Sequence, residues 1–432
     1  MNERLLQFIW QFRYFNQSSL HTTDGRPLQI LNQGILNRNS GPDFSEARIK
    51  IDTTLWVGNI ELHVNASHWH QHKHAADKNY HNIILHVVWM NDEAVLDKYN
   101  HPIATLELQP LVAKIMLQHF DRLMQSANAI PCAFALPVLS EISWLSWKER
   151  LTAERLQQKS GLILQWLETC NNNWEEVFWI SLCRSFGIKV NADAFEQIAK
   201  TITVNLLAKH KNQIHQLEAL LLGQAGLLNQ NFEDNYPILL QKEYSFLSKK
   251  YSLRPLHKPP VFLLMRPSNF PTVRLAQLAM LVHRSHHLFS KIRSAEKLME
   301  LLQWFDITAN DFWNYHFTLT DATPYQPKTL GRAFIQNIII NSIVPVLFAF
   351  AINKNNDLLK EKALDFLIAL KPEQNGVTKK WKTYNVANTN ALHSQALIHL
   401  KNNYCDSKRC LNCSVGVKLL AKTMHTNKLP AG

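Results

Sequence analysis

The sequence has little of what marks several classes of protein. Glycine accounts for only 12 of the 432 residues and charged residues for only 19%, which excludes a collagen-like, coiled-coil or disordered chain. Six cysteines are too few for a disulfide scaffold in a chain of this length. The first residues, MNERLLQFIWQFR, carry charges inside an apolar pattern and lack a small-residue cleavage site. We therefore expect no secretory signal and a cytoplasmic protein.

One apolar run, residues 333–352, approaches the length that spans a bilayer. It contains Gln336, Asn337 and Asn341, whose polar side chains are costly at bilayer depth. We therefore predict a buried core helix with a break near Pro345 and expect no membrane partner.

The periodicity of the apolar residues divides the chain into an early mixed part and a later helical part. The hydrophobic content of 46% is enough for a sizeable core, and the length predicts two or three domains. The β-rich segments lie at 28–35, 47–51, 55–64, 83–89 and 103–108, after a predicted helix over 1–16. We predict an α/β domain over 1–130, a mainly α-helical domain over 131–370, and a basic tail over 371–432 that packs on the rest.

Positive charge is concentrated in the later part of the chain. The net charge is +12, yet residues 1–130 hold 11 Lys and Arg against 12 Asp and Glu. Residues 371–432 hold 10 basic and 2 acidic residues. This asymmetry indicates an anionic partner, with nucleic acid first, although a surface tuned for solubility gives the same pattern.

Two carboxylates stand at the ends of neighbouring predicted strands. Asp43, in GPDF, precedes the strand at 47–51, and Glu61 lies in the next strand, in GNIELHV. A hairpin of this length can bring both to one edge of a sheet, where they and the backbone carbonyl of Leu62 would suit Mg²⁺ or Mn²⁺. Such a cation lowers the pKa of a bound water and stabilises charge on a phosphoryl group. The alternative is structural: Asp43 initiates a turn, and Glu61 hydrogen-bonds across strands.

This arrangement resembles the PD-(D/E)xK nuclease superfamily, in which an Asp at a strand start and a (D/E)-x-K on the adjoining strand form the core. The resemblance implies a restriction-endonuclease-like mixed sheet and a phosphodiesterase activity, with Asp43 and Glu61 as catalytic metal ligands and Glu3 as an accessory carboxylate. The sequence departs from the pattern at the third position, where His63 replaces the lysine. A histidine can position or deprotonate a water near neutral pH but brings no fixed charge.

A histidine-rich segment follows the second of these strands. Between residues 63 and 86 the chain has seven histidines: His63, His68, His70, His72, His74, His81 and His86. On a strand, four of them would share one face, and on a helix they would form i, i+4 pairs that suit zinc. A loop of exposed imidazoles is the alternative. A third use is contact with phosphate by these histidines and Lys73.

Three cysteines, Cys405, Cys410 and Cys413, form a C-x4-C-x2-C pattern near the end of the chain. In a cytoplasmic protein such a cluster indicates a metal rather than a disulfide. Cys132, in an isolated loop, is the best candidate for a fourth ligand, and either zinc or a [4Fe-4S] cluster would fit.

Other residues are weaker candidates for the cysteine site. His393 and His399 are alternative fourth ligands that would give a Cys3His zinc site. Cys170 and Cys183 lie in helical patterns and are predicted core thiols. Some PD-(D/E)xK nucleases carry an iron–sulfur cluster on one distant and three clustered cysteines. The layout here is similar, although Cys132 follows the carboxylate motif.

The segment MRPSNFPTVRLAQLA offers a possible phosphate site in the helical part. Arg266 and Arg274 flank a turn that opens a helix, and arginines near a helix N-terminus can bind phosphate. Alternatively, each arginine pairs with an acidic neighbour and caps the loop.

Four phrases together resemble a bacterial family of uncharacterised proteins, domain of unknown function 2851. They are GPDFSEARIKID, WVGNIELHV, RPSNFPTVRLAQLA and SQALIHLKNNYC-x4-C-x2-C. This resemblance spans nearly the whole chain and implies no activity. Our leading prediction is a metal-dependent nuclease-like protein that acts on or binds DNA. The alternatives are a catalytically silent nucleic-acid-binding protein, and a zinc metalloprotein or interaction scaffold.

Overall fold

The computed structural model describes residues 1–37, 40–72, 74, 77–263 and 265–425. The chain forms two compact units. The first contains residues 1–143 together with the segment from Leu400 onward, and the second contains residues 144–399.

The first unit begins with a helix, α1 (Glu3–Gln11), which starts where the Asn2 side chain accepts a hydrogen bond from the Leu5 amide. Its apolar face is buried against the sheet. The strands and the next two helices are β1 (Leu28–Asn32), β2 (Ile35–Leu36), β3 (Phe44–Ile51), β4 (Thr54–Asn65), α2 (His68–Gln71), β5 (Ile83–Met90), β6 (Thr105–Glu107) and α3 (Lys114–Gln125).

The strands form one mixed sheet in the order β1-β3-β4-β5-β6, with β2 also paired to β3. The first strands pair antiparallel, whereas β5 is parallel to β4 and β6 is parallel to β5. Five β-rich segments were predicted, and the first of them splits in two at Gly34. A Cβ at Gly34, whose φ is +90°, would lie 2.7 Å from the Ser45 carbonyl oxygen, so this bend requires glycine.

A bulge in β3 sets the register at the strand ends. Ala47 pairs with Gly58, but Phe44 pairs with Ile60, so one extra residue is accommodated between Phe44 and Ala47. Glu46, within this bulge, has a φ of +57°. Side chains alternate between the faces of a sheet, and a one-residue shift therefore moves the residues beyond it to the other face.

The second unit is helical. Its helices are α4 (Glu141–Thr169), α5 (Trp174–Phe186), α6 (Ile188–Thr201), α7 (Val204–His210), α8 (Ile214–Gln224), α9 (Asn235–Tyr251), α10 (Pro271–Arg284), α11 (Leu288–Ser294), α12 (Leu298–Trp304), α13 (Arg332–Ile338), α14 (Val344–Asn353), α15 (Asp357–Ala369), α16 (Gly376–Thr383) and α17 (Ala391–His399). They enclose an extensive apolar core. The prediction of an α/β part followed by a mainly helical part is confirmed.

The apolar run lies in this unit as α13, a π-helical turn over Ile339–Ile343, and α14, with Pro345 in the first turn of α14. By length and composition alone, Arg332–Asn353 is the one described helix that could cross a membrane, and 78% of its most apolar window is buried within the protein.

The final segment returns to the first unit. A π-helical turn over Leu400–Cys405 and a short turn over Cys410–Asn412 lead to α18 (Ser414–His425), which packs on α3. Lys408 Nζ also donates to the Met124 carbonyl oxygen. Helices α16 and α17 pack against each other, and α17 packs against α15. Residues 371–399 therefore belong to the second unit, whereas the sequence predicted that they form part of a tail over 371–432.

Candidate metal sites

Asp43 and Glu61 meet at the end of the β3–β4 hairpin. The register of Phe44 with Ile60, extended by one residue, places Asp43 opposite Glu61. The Asp43 amide donates to Glu61 Oε2 at 3.0 Å, and the Leu62 amide donates to Asp43 Oδ2 at 3.0 Å. The second oxygen of Asp43, Oδ1, accepts a hydrogen bond from Gln7 Nε2 on α1 at 2.7 Å.

Burial makes this pair of acids unusual. It raises the pKa of Asp43 to about 6, against the hydrogen bonds from Leu62 and Gln7 that lower it. Burial, and next the charge of Asp43, raise the pKa of Glu61 to about 9. Glu3 raises both pKa values as well, so this predicted accessory carboxylate is near the pair. The raised pKa values mean that these surroundings disfavour the ionised carboxylates, and a divalent cation is the kind of group that would stabilise them.

Imidazoles surround the other side of Glu61. His63, two residues further along β4, has its Nδ1 2.8 Å from His86 Nε2 and its Nε2 3.2 Å from His72 Nδ1. The Nε2 atoms of His74 and His63 lie 3.4 Å and 3.7 Å from Glu61 Oε1. Among the described residues, His63, His72 and His74 form the one group of three potential metal ligands whose ligand atoms all lie within 4.8 Å of one another.

The surroundings of three histidines in this cluster, His63, His74 and His86, favour the neutral imidazole. Burial, reinforced by the neighbouring imidazoles, lowers the pKa of His63 to about 2, of His74 to about 4 and of His86 to about 3. Neutral imidazole is the form that binds metal ions.

Neither predicted conformation of the histidine-rich segment extends over its whole length. The segment forms the short helix α2, and Trp69 anchors it in a small core with Ala66, Val88 and Val95. His70 is exposed and lies 4.0 Å from Glu93. The segment therefore contributes only part of the cluster, and His63 and His86 on the strands supply the rest.

Sequence reasoning named His86 only as a member of the histidine-rich segment and gave no role to Gln7. His86 pairs with Glu61 in the parallel β4–β5 register, and the alternation of β5 is the signal that could have placed it on this face. Gln7 lies 36 residues from Asp43 along the chain, and no spacing in the sequence indicates their contact.

The residues predicted to bind phosphate have different surroundings. Lys73 lies outside the described residues. Arg266 is exposed ahead of a short turn. Arg274 is 5% exposed, bonded to Asn269 and Gln277, with its guanidinium 3.6 Å from the centre of the Phe334 ring. A phosphate contact by Arg274 would require its side chain to leave these partners.

Cys132 and the three late cysteines gather in the first unit. All four are buried thiols. Burial, and then the neighbouring Cys413 and Cys410, raise the pKa of Cys132 to about 12. The pKa of Cys405 is raised by burial and by the same neighbours together with Cys132. Cys132 therefore lies near the late cysteines, and its role as a metal ligand stays a prediction.

The other expected thiols and alternative ligands lie in the helical unit. His399 Nε2 is 3.6 Å from Glu154 Oε2, and His393 Nδ1 is 3.0 Å from the Thr389 hydroxyl. Cys183 is buried in the core of that unit, and Cys170 is packed against it.

Close packing surrounds the cysteine cluster. A Cβ on Gly416, in the first turn of α18, would lie only 2.2 Å from the Cys410 carbonyl oxygen. Four neighbouring buried thiols, with the backbone of Cys410 packed closely on α18, are a donor set that suits zinc or an iron–sulfur cluster.

Fold and sites together define a protein of two units. The first contains a mixed sheet with a buried carboxylate–histidine cluster, and also four neighbouring thiols, and the second is a large helical unit. The family described as Protein of unknown function (DUF2851) matches residues 3–376, so the chain belongs to this family. No curated protein and no solved structure matches the chain. The predicted family membership is confirmed, and the PD-(D/E)xK resemblance stays a prediction.

Proposed function

We propose that this protein is a metal-dependent, nuclease-like phosphodiesterase whose cation is held by Asp43 and Glu61. The observation that carries the proposal is the convergence of these two carboxylates, 18 residues apart, at one end of a hairpin. Their burial supports it, because paired buried acids are stabilised by a cation and pKa values perturbed in this way are typical of functional sites.

The order of elements around the pair also supports this proposal. Helix α1, the strands β1, β3 and β4, the short α2 and then β5, parallel to β4, follow one another as the PD-(D/E)xK resemblance implies. His63 takes the position that the superfamily gives to lysine.

Each side chain has a definable task in this proposal. A divalent cation, Mg²⁺ or Mn²⁺, would supply a water of lowered pKa and stabilise charge on the phosphoryl oxygens. Asp43 and Glu61 supply hard oxygen ligands. Gln7 and the Leu62 amide orient the Asp43 carboxylate, and His63 places a neutral imidazole next to Glu61.

A cavity of about 350 Å³ reaches this cluster at His74, although Asp43 and Glu61 do not line it. His74 and Tyr80 line its wall. Lys98 supplies positive charge, and Trp56 and Tyr99, which are 45% and 67% exposed, offer aromatic faces. Basic groups beside aromatic rings are typical of surfaces that bind the backbone and bases of single strands. We therefore propose DNA, and a single-stranded end in particular, as the substrate class.

We also propose that Cys132, Cys405, Cys410 and Cys413 hold a [4Fe-4S] cluster. Tetrahedral zinc ligands at about 2.3 Å stand roughly 3.8 Å from one another. No three of these four sulfurs, all within the described residues, form a group within 4.8 Å. The wider spacing favours a cluster, in which each thiolate binds a different iron. Anaerobically purified protein should then absorb at about 400 nm, and a colourless protein with stoichiometric zinc would exclude the cluster.

Cleavage assays on the full chain test the phosphodiesterase proposal. Wild-type protein with Mn²⁺ or Mg²⁺ should cleave end-labelled single-stranded or duplex DNA, and Asp43→Asn and Glu61→Gln should each slow cleavage by about 100-fold or more while still binding DNA. The matched control is Asp52→Asn, an exposed carboxylate at the turn of the same hairpin, which should cleave normally.

The same assay separates the alternatives. Salt-sensitive DNA binding without metal-dependent cleavage would identify a catalytically silent nucleic-acid-binding protein. Absence of both would leave a metalloprotein or interaction scaffold and contradict the proposal.

A further inference from the structure

We propose that His63, His72 and His74 form a second metal site, distinct from the carboxylate site of Asp43, that takes a transition-metal cation such as Zn²⁺. Glu61 Oε1 faces the fourth position of this site. Metal binding at these imidazoles does not depend on the phosphodiesterase activity proposed above.

One histidine pair and the facing Glu61 have the spacing of ligands around a tetrahedral cation, and His74 completes a group whose ligand atoms all lie within 4.8 Å of one another. Zinc–nitrogen bonds of about 2.0–2.1 Å place tetrahedral ligands roughly 3.3 Å from one another. His63 Nε2 and His72 Nδ1 are 3.2 Å apart, and Glu61 Oε1 lies 3.4 Å from His74 Nε2 and 3.7 Å from His63 Nε2. Three imidazoles with one further position suit zinc and its neighbours in the first transition row, whereas Mg²⁺ prefers oxygen ligands.

A buried atom without a hydrogen-bond partner points into the site. Among the described residues, His74 Nε2 is inaccessible to solvent and has no hydrogen-bond partner, although Glu61 Oε1 lies 3.4 Å away, and His74 as a whole is 8% exposed. A buried polar atom left in this way is costly, and a coordinated metal would satisfy it.

Neighbouring side chains orient these rings as metal-bound histidines are usually oriented. His86 Nε2 lies 2.8 Å from His63 Nδ1 and so fixes the ring whose Nε2 faces the cluster. Tyr80 stacks on His74 with ring centres 3.9 Å apart. Supporting contacts of this kind distinguish a built site from a group of exposed imidazoles.

Glu61 stands between the two sites. Its Oε2 accepts from the Asp43 amide, whereas its Oε1 faces His63 and His74. A cation at the imidazoles would place positive charge beside the carboxylate pair, at the position where the PD-(D/E)xK resemblance expects a lysine. The catalytic meaning of this charge, unlike the metal binding itself, rests on the proposed function.

Titration of chelator-treated protein with Co²⁺ tests the site without any substrate. His72 is exposed, so His72→Ala should fold normally, and circular dichroism checks that it does. The matched control is His70→Ala, which removes an exposed imidazole that lies in α2, two residues before His72, and outside the group of three. Wild type and His70→Ala should bind one more equivalent of Co²⁺ than His72→Ala, or bind it at least about 100-fold more tightly.

The spectrum identifies the ligands of that additional cobalt. The difference between wild type and His72→Ala should show the intense visible bands of four- or five-coordinate cobalt and no sulfur-to-cobalt charge-transfer band. Equal stoichiometry and affinity in wild type and His72→Ala, a thiolate band in the difference spectrum, or equal losses in His70→Ala and His72→Ala would each overturn the proposal. Failure to cleave DNA would leave this titration unaffected, so the two proposals fail separately.

Discussion

The side-chain amide of Gln7, on the first helix, donates a 2.7 Å hydrogen bond to Asp43 Oδ1. The other carboxylate oxygen of Asp43 accepts from the Leu62 amide on β4. A helix and a strand thus orient one carboxylate from two directions. Gln7 is a positioning residue for the proposed carboxylate site.

Gln7→Leu should weaken Mn²⁺ binding at the carboxylates by roughly 10-fold to 100-fold, the range for loss of a hydrogen bond to a metal ligand. The half-buried Gln7 can be replaced by leucine without a large change in volume. Isothermal titration or the electron paramagnetic resonance of bound Mn²⁺ measures the effect. Gln11→Leu, at the end of the same helix, is the control and should bind as wild type does. Equal Mn²⁺ affinity in the two variants would remove Gln7 from the site.

Gly416→Ala should release the metal centre that we propose at the cysteines. The added Cβ would meet the Cys410 carbonyl oxygen at 2.2 Å, so the Cys410 backbone or α18 must move. We expect loss of iron, or of zinc, by elemental analysis. Gly161→Ala is the matched control, because nothing lies within 4 Å of its Cβ in the middle of α4. That variant should retain the metal and gain up to about 1 kcal/mol of stability. Normal metal content in Gly416→Ala would contradict the packing described here.

Ionisation of the buried Glu218 carboxyl group should make the helical unit less stable as the pH rises. Glu218 is fully buried and accepts hydrogen bonds from Tyr236, Asn310 and Trp313, yet burial raises its pKa to about 8. The folded state therefore holds the proton more tightly than the unfolded chain, whose glutamate pKa is about 4.3. This contribution to stability is complete below the unfolded pKa and is lost as the pH rises through about 8.

The measurement is the free energy of unfolding of wild type and Glu218→Gln by urea at pH 5 and pH 8. Glutamine carries no titrating proton, so the loss between the two pH values should be smaller in the variant, by on the order of a few kcal/mol. Comparing the two proteins cancels the other titrating groups. An identical pH dependence in both would show that Glu218 is ionised in the folded protein throughout.

The two arginines of the RPSNFPTVR segment should respond differently to alanine. Arg274 is buried against Phe334 and bonded to Asn269 and Gln277, so Arg274→Ala should cost about 2–4 kcal/mol of unfolding free energy. Arg266→Ala should change stability by less than about 0.5 kcal/mol, because the residue is exposed. Thermal unfolding and salt-dependent DNA binding together distinguish the variants. A larger loss of stability in Arg266→Ala than in Arg274→Ala would reverse these assignments.

The local order of elements followed directly from the sequence. Alternating apolar residues predicted the strands, and helical periodicity predicted the helical part, because the period of burial is a property of each local backbone conformation. The C-x4-C-x2-C spacing and the isolated Cys132 likewise indicated which thiols to bring together. The splitting of the first predicted strand was missed, since it depends on the contact of Gly34 with Ser45 on another strand.

The candidate sites needed the tertiary structure. Ala47 on β3 pairs with Gly58 on β4. If this pairing continued without a bulge, Asp43 would stand opposite Leu62, and the side chains of Asp43 and Glu61 would lie on opposite faces of the sheet. The bulge around Glu46 shifts the pairing by one residue and brings the two acids to the same face. Whether a bulge forms depends on packing across strands, which no local pattern records.

The sequence by itself therefore determined the kinds of residue available for chemistry and the elements that carry them. The tertiary structure decided which of them meet: His63, His72 and His74 rather than the whole histidine run, with Gln7 next to Asp43. The reason is physical. Local conformation depends on neighbours along the chain, whereas a site depends on distances between segments that only the packed core fixes.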